Sequence, residues 1–122
     1  MPDRLGTGPI DPDALDELLV ATGDDREAVL DLIDTFVADG RAILASMGRA
    51  AAAGAEAELQ RPAHLLKANA NNFGAWRLVE LSRQLEADSR SGTVGDAAER
   101  VAEIEREFVA VEAALLGERQ GH

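Results

Sequence analysis

The sequence predicts an all-α protein, an antiparallel up-and-down four-helix bundle with a short additional N-terminal helix. Apolar residues recur every three or four positions through most of the 122-residue chain, which is the spacing of one helix face. Ala and Leu dominate a composition with three phenylalanines, one tryptophan and no tyrosine, which favours helices over strands. Short connectors containing glycine separate the periodic segments, and such connectors join antiparallel neighbours in bundles.

A chain of this length supports one hydrophobic core. Pro2, Gly6, Gly8 and Pro9 indicate that residues 1–10 form a flexible lead-in outside that core. We expect the domain to cover residues 11–117 and residues 118–122 to form a frayed tail.

The first helix is expected to begin at Asp11, whose side chain can cap the first amides, with Pro12 in the first helical position. Its apolar face is formed by Leu15, Leu18 and Leu19, and Gly23 ends it. Ten residues are too few for a stable isolated helix, so this segment needs the bundle.

A long second helix follows the capping box that Asp24 and Glu27 predict. It runs toward Gly54, and its apolar stripe consists of Val29, Ile33, Phe36, Ile43 and Met47. Gly40 interrupts this stripe and costs about 1 kcal/mol relative to Ala. Its presence indicates either close packing or a slight bend.

The third helix is expected from Ala55 to the turn at Gly74, with a stripe of Leu59, Ala63, Leu66, Ala70 and Phe73. Pro62 lacks the amide that would bond to the carbonyl of Glu58, which predicts a kink. The bend is either simply tolerated or sets the presentation of His64, two positions later.

A fourth helix carries Leu78, Leu81 and Leu85 and ends at Ser91 and Gly92. Asp96 and Glu99 form the capping box of a fifth helix. The apolar stripe of this last helix consists of Val101, Ile104, Phe108, Val111 and Leu115.

The formal net charge of -11 argues against DNA or RNA as a partner, since nucleic-acid affinity comes mainly from Lys and Arg. No apolar run is long enough to cross a bilayer, and the N-terminus lacks the features of a signal peptide. We therefore expect a cytoplasmic protein that does not bind membranes. Without cysteine there are no disulfides, no thiolate catalysis and none of the usual structural zinc sites.

Two histidines are candidates for chemistry, His64 in the third helix and His122 at the C-terminus. His122 ends a loose tail and is expected to be inert. With Leu59 as the origin of a helical wheel, Lys67, Asn71 and His64 fall at about 80°, 120° and 140°, while the buried stripe stays within about 40°. His64 is therefore expected to border the core and face water, with Lys67 one turn away.

An exposed imidazole is available as a nitrogen nucleophile near pH 7. An ammonium one turn away can balance the charge of a phosphoryl group, and a side chain as short as Ala68 leaves the ring open to a bulky partner. The same residues equally describe an ordinary solvated helix face. Spacing alone does not decide between the two interpretations.

The segment from Ala63 to Ala75, AHLLKANANNFGA, resembles the signature of the histidine phosphotransfer (HPt) family. In that signature Ala-His, a variable residue, Leu-Lys, a small residue and later Asn-Phe-Gly-Ala follow in this register. The similarity continues through Leu78, Leu81, Leu85, Glu86 and Arg90 of the next helix and covers about Ile10 to Leu116. Ala68 stands where the family most often has Gly, and Leu65 where Thr or Ser is common.

The resemblance implies that His64 accepts a phosphoryl group, that Lys67 supports it, and that the small residue Ala68 leaves access for the partner. We also expect Asn71 to border that access. It implies a stand-alone phosphocarrier of a two-component phosphorelay, with a phosphohistidine intermediate and no kinase activity of its own. The implied partners are receiver domains of a hybrid histidine kinase and of a response regulator. The receiver would supply Mg²⁺, no cofactor of the chain's own is expected, and the protein is expected to be a monomer.

Two other hypotheses stay open. A degenerate bundle of this kind would dock to a receiver or kinase without transferring phosphate. A metal-binding bundle would use Glu-x-x-His motifs, but Arg61 occupies the Glu position before His64. Asn69 is a further candidate for hydrogen bonds to phosphate or partner, although Asn near a helix end more often caps it. Trp76 is expected to pack at the rim.

Overall fold

The computed structural model describes residues 8–120, with side chains described as far as residue 118. These residues form five α-helices and no strand, which confirms the all-α prediction. The helices are α1 (Pro12–Ala21), α2 (Arg26–Ala52), α3 (Gln60–Asn71), α4 (Trp76–Ser91) and α5 (Ala97–Gln120), and a 3-10 helix (Glu56–Leu59) directly precedes α3. His122, which was expected to be inert, lies outside the described residues.

Helices α2 to α5 form the predicted four-helix bundle. Each packs against its neighbours in the chain, and α5 returns to pack against α2, so the ring of four helices is closed. The short helix α1 lies against α2 as an addition to the bundle. This arrangement follows from four amphipathic segments that bury their apolar faces against one another across short connectors.

The core contains most residues of the apolar stripes that the spacing predicts, whereas Ile43 on α2 and Leu81 on α4 are only partly buried. The ring of Phe36 lies at its centre, with centroids 4.9 Å from Phe73 and 5.5 Å from Phe108. The predicted stripe of the third helix is buried throughout, and its members are Leu59, Ala63, Leu66, Ala70 and Phe73. Helical spacing therefore identified the buried face correctly.

The start of α1 agrees with prediction, but the capping box of α2 was placed one residue too early. Asp11 caps α1, since its Oδ1 accepts a hydrogen bond from the amide of Asp13 at 3.0 Å. The cap of α2 is Asp25, whose Oδ1 accepts from the amide of Ala28 at 3.1 Å. Asp24 instead closes α1, because its amide donates to the carbonyl of Leu19 at 2.8 Å while its φ is +62°.

The third helix does not run unbroken from Ala55, and the interior kink predicted at Pro62 is wrong. The chain forms the short 3-10 helix first, and α3 begins at Gln60. Pro62 thus lies in the first turn of α3, where an amide has no intrahelical partner to lose. The proline is buried and places the start of α3 four residues before His64.

The expected domain ends also differ from the structure. Ile10, assigned to the flexible lead-in, is buried and belongs to the hydrophobic core. At the other end α5 continues to Gln120, past the expected boundary at Gly117. Ile10 contacts the core through tertiary packing, so the helical periodicity of its neighbours in sequence does not predict its burial.

Gly40 is a site of close packing, which is the first of the two alternatives for this residue. A Cβ atom built on Gly40 would lie 2.2 Å from Cε1 of Phe108 on α5. Since Phe108 is buried in the core, the missing side chain of Gly40 allows α2 and α5 to approach each other.

The turn between α3 and α4 is fixed to the start of α1. Gly74 has φ +64°, and a Cβ there would lie 2.6 Å from the Cβ of Asp11. The indole Nε1 of Trp76 donates to Oδ2 of Asp11 at 3.2 Å. Trp76 is 39% exposed, which agrees with the predicted rim position. These contacts attach α1 to the bundle end that contains the C-terminus of α3.

Ser82 carries a hydroxyl group whose removal is expected to stabilise the protein. Its side chain is fully buried in α4, and among the described residues its Oγ has no hydrogen-bond partner. An unsatisfied buried polar group costs about 1–3 kcal/mol. We expect Ser82→Ala to raise the free energy of unfolding by about 1 kcal/mol, measured by urea denaturation.

The control for this prediction is Ser46→Ala in the interior of α2, where the serine is half-buried. That change measures the gain in helix propensity, about 0.5 kcal/mol, without removing a fully buried hydroxyl. Equal stabilisation by the two changes would contradict the assigned cost of the Ser82 hydroxyl.

No helix within residues 8–120 combines the length and the apolar character needed to cross a lipid bilayer.

Candidate functional site

His64 lies on the exposed side of α3, as the helical wheel predicts. Its side chain is 57% exposed, while Ala63 and Leu66 on either side are fully buried. The apolar stripe therefore fixes the rotation of α3, and this rotation leaves the imidazole at the edge of the core facing solvent. Ala68 at the next turn is also exposed, so no bulky side chain of α3 covers the ring from that side.

Glu86 on α4 contacts both His64 and Lys67. Its Oε2 lies 2.9 Å from Nδ1 of His64, and its Oε1 lies 2.7 Å from Nζ of Lys67. The Glu86 side chain is only 8% exposed, because it extends from the buried face of α4 toward α3. One carboxylate thus uses one oxygen for the imidazole and the other for the ammonium.

A second cation completes the cluster. Nη2 of Arg90, one turn further along α4, lies 3.2 Å from Oε2 of Glu86. The hydrogen bond from Lys67 lowers the pKa of the Glu86 carboxyl below its ordinary value, against the opposing effect of burial, and the hydrogen bond from His64 lowers it further. Glu86 is therefore an anion at neutral pH and can only accept hydrogen bonds.

The contact with Glu86 determines which ring nitrogen of His64 is free. Since an ionised carboxylate is an acceptor, the short contact to Nδ1 requires a proton on that nitrogen. In the neutral ring the lone pair is then on Nε2. Nε2 of His64 is consequently available as a nucleophile, while Nδ1 is hydrogen-bonded to Glu86.

Lys67 lies between α3 and α4 with its side chain 30% exposed. An ammonium group has three donors, so the bond to Glu86 leaves others for a second acceptor. The structure thus places Lys67 beside His64 as predicted and joins the two through a residue that the sequence did not single out.

The other predicted site residues, Asn69 and Asn71, lie further along α3 toward its C-terminus. Asn71 is exposed and borders a surface depression together with Asp13, Glu17 and Trp76. Asn69 borders a groove of about 170 Å³ between α1, α2 and α3, whose other lining residues are Leu18, Leu32, Thr35, Phe36, Asp39, Asn72 and Phe73. Neither Asn69 nor Asn71 is among the described residues whose side chains bind Glu86, which are His64, Lys67 and Arg90.

Apolar side chains are exposed beside His64 and at the groove between α1, α2 and α3. Leu32 on α2 is 41% exposed and borders the groove, and Leu65, beside His64, is 39% exposed. Leu65 therefore does not bury itself against a neighbouring helix and is available to a partner. Exposed apolar residues next to a reactive group are typical of a protein-binding surface.

Glu86 is a residue of this cluster to which sequence reasoning gave no role, although it lies in the segment that resembles the family. It lies 22 positions after His64, on a different helix, so no local spacing links the two residues. The available signal was its place beside Leu85 and Arg90 in the segment that resembles the family. Burial of a carboxylate costs free energy unless cations pair with it, and in this structure Lys67 and Arg90 both pair with Glu86.

Comparison with known proteins identifies the family of this chain. The family model of the Hpt domain matches residues 31–114. The crystal structure of histidine-containing phosphotransfer protein B (HptB) from Pseudomonas aeruginosa PAO1 is similar, with 31% sequence identity and a TM-score of 0.85. The match covers 96% of this chain and 99% of the HptB chain. Among curated protein sequences no match was found. The chain belongs to the Hpt family and has a phosphotransfer role in two-component signalling.

Proposed function

We propose that the protein accepts a phosphoryl group from a receiver-domain aspartate onto Nε2 of His64 and passes it to the aspartate of another receiver. The observation that supports this proposal is the hydrogen bond between Nδ1 of His64 and Glu86. It leaves Nε2 free on an exposed ring, beside the cation of Lys67. The donors and acceptors we propose are the receiver domains of a hybrid histidine kinase and of a response regulator.

In the first step the lone pair of Nε2 attacks the phosphorus of the aspartyl phosphate. The new N–P bond forms while the P–O bond to the aspartate breaks, and the aspartate leaves as a carboxylate. The ring gains positive charge in this step because Nδ1 keeps its proton. Glu86 stabilises that charge by accepting the Nδ1 hydrogen bond, as a carboxylate does for a catalytic imidazole.

Lys67 is proposed to balance negative charge on the phosphoryl oxygens. It has donors beyond the one bound to Glu86, and it lies one turn from His64. Phosphoryl transfer depends mainly on in-line positioning and on electrostatic stabilisation of the transferred group. Transfer to a second receiver is the reverse reaction with a different aspartate.

The receiver is proposed to supply Mg²⁺, and the chain is proposed to act as a phosphocarrier without kinase activity. Its sequence has no glycine-rich phosphate loop for a nucleotide. For docking we propose the face around His64, including Leu65, Ala68 and the groove bordered by Leu18 and Leu32. Asn71 borders this access from the C-terminal end of α3.

The test is transfer of a radioactive phosphoryl label from a panel of phosphorylated receiver domains of the host. We expect at least one receiver to label the wild-type chain and His64→Gln to take no label above background, a loss of at least about 1,000-fold. The label should be stable to alkali and labile to acid, as the N–P bond of phosphohistidine is.

His122→Gln is the matched control, because it replaces the other histidine of the chain in the same way. It should be labelled at the rate of the wild type. Receivers that bind the wild-type chain without labelling it would support the docking-only hypothesis instead. Label on His64→Gln would show that another residue accepts the phosphoryl group.

A further inference from the structure

The cluster around His64 has few hydrogen-bond donors free for the oxygens of a phosphoryl group. Before transfer, with a neutral ring, the two cations Lys67 and Arg90 and the anion Glu86 leave a single net positive charge, and transfer adds one positive charge on the ring itself. A phosphoryl group brings a charge of about -1.5 to -2 near neutral pH. Both cations are also bound to Glu86, whose carboxylate has to remain ionised to hold the Nδ1 proton.

Arg61 is a nearby cation that is not bound to a carboxylate. It lies on α3, three residues before His64, so that the two side chains are neighbours on the helix surface. Arg61 is exposed, and within the described part of the chain it has no hydrogen-bond or ion-pair partner. In a protein with a net charge of -11, an unpaired arginine next to the nucleophile is notable.

Arg61 and His64 border the same open space. An open depression of about 420 Å³ is lined by Ala57, Gln60, Arg61, His64 and Glu86. Helical side chains lean toward the N-terminus of their helix, which brings the imidazole over the turn that contains Arg61. A phosphoryl group on Nε2 would therefore extend into a space that Arg61 can reach.

We propose that Arg61 binds the phosphoryl oxygens during transfer to and from His64. This inference rests on the proposed function and adds a second cation to Lys67. The planar guanidinium donates two parallel hydrogen bonds to a tetrahedral oxyanion, and it stays protonated throughout. Because charge is spread over the three equatorial oxygens of the transition state, the guanidinium increases the rate of the N–P bond-forming step.

The test uses the full chain and a receiver that labels the wild type. Single-turnover rates of label transfer are measured for wild type, Arg61→Gln and Arg61→Lys at increasing concentrations of the chain. We expect Arg61→Gln to lower the rate at saturation about 10-fold or more, with Arg61→Lys in between. The half-saturating concentration should change less than 3-fold.

Arg106→Gln is the matched control. Arg106 is an exposed arginine on α5 that is paired with Glu99, so its replacement changes the net charge equally. This variant should transfer at the wild-type rate.

Three results would overturn the proposal. If Arg61→Gln and Arg106→Gln have the same rate at saturation, Arg61 does not act on the phosphoryl group, although the proposed function stands. If only the half-saturating concentration changes, Arg61 contacts the receiver instead. If no receiver labels the wild type, both the proposed function and this inference are wrong.

Discussion

Replacement of Glu86 by Ala is expected to lower the rate of phosphoryl transfer to His64 by about 10- to 100-fold, the range typical of residues that orient a reactive histidine. Without the carboxylate, no other contact within residues 8–120 holds the Nδ1 proton, and the ring samples the tautomer in which Nε2 carries the proton and cannot attack. Glu86→Gln should lose less, because its amide oxygen still accepts from Nδ1 but no longer stabilises the developing ring charge.

The measurement is the single-turnover transfer of label from a receiver, with Glu80→Ala as the control. Glu80 is on the same helix but is exposed and paired with Arg83, so its removal should leave the rate unchanged. Wild-type rates for both Glu86 variants would show that the orientation of His64 does not depend on this carboxylate.

The same residue gives the protein a pH-dependent stability. The pKa of Glu86 is lowered in the folded protein, mainly by the hydrogen bond from Lys67. Its carboxylate therefore stabilises the fold above the unfolded-state pKa of about 4.3, and this contribution is lost as the pH falls through the lower folded-state pKa. The difference in unfolding free energy between wild type and Glu86→Gln should shrink as the pH falls below about 4.

Gly40→Ala is expected to destabilise the protein by about 1–3 kcal/mol, although alanine is the better helix former. The new methyl group would lie 2.2 Å from Cε1 and 2.5 Å from Cζ of Phe108. Phe108 cannot move away freely, because its ring is buried and packs against Phe36. Helices α2 and α5 would have to separate, at the expense of core packing.

Gly48→Ala provides a control of opposite sign on the same helix. A Cβ at Gly48 has no neighbour within 4 Å among the described residues, so the change should stabilise by about 0.5–1 kcal/mol through helix propensity alone. Urea denaturation followed by the helical circular dichroism signal measures both variants. Stabilisation by Gly40→Ala would show that Phe108 has room to move and that the close approach is not required.

The fold could be predicted because helical periodicity is a local property. Leu59, Ala63 and Leu66 share one face of α3 by their spacing alone, and the structure buries all three. Errors occurred where a neighbouring element decided the outcome. The sequence predicted Asp24 as the cap of α2, but the amide of Asp24 binds the carbonyl of Leu19 at the end of α1, and Asp25 caps α2 instead.

The candidate site could be predicted only in part, for the same reason. His64 and Lys67 are one turn apart on a single helix, and their neighbourhood follows from the helical repeat. Glu86 joins them from α4, which requires knowledge of how α3 and α4 are rotated against each other. That rotation results from packing of the whole core.

By itself, the sequence determined the number of α-helices, the buried face of α3 and the exposure of His64, since all three depend on residues only a few positions apart. Only the tertiary structure decided that Phe108 packs against Gly40, that Ile10 is buried in the core and that Glu86 is hydrogen-bonded to Nδ1 of His64. Each of these contacts joins residues from separate elements, and the packing of side chains between the helices brings them together.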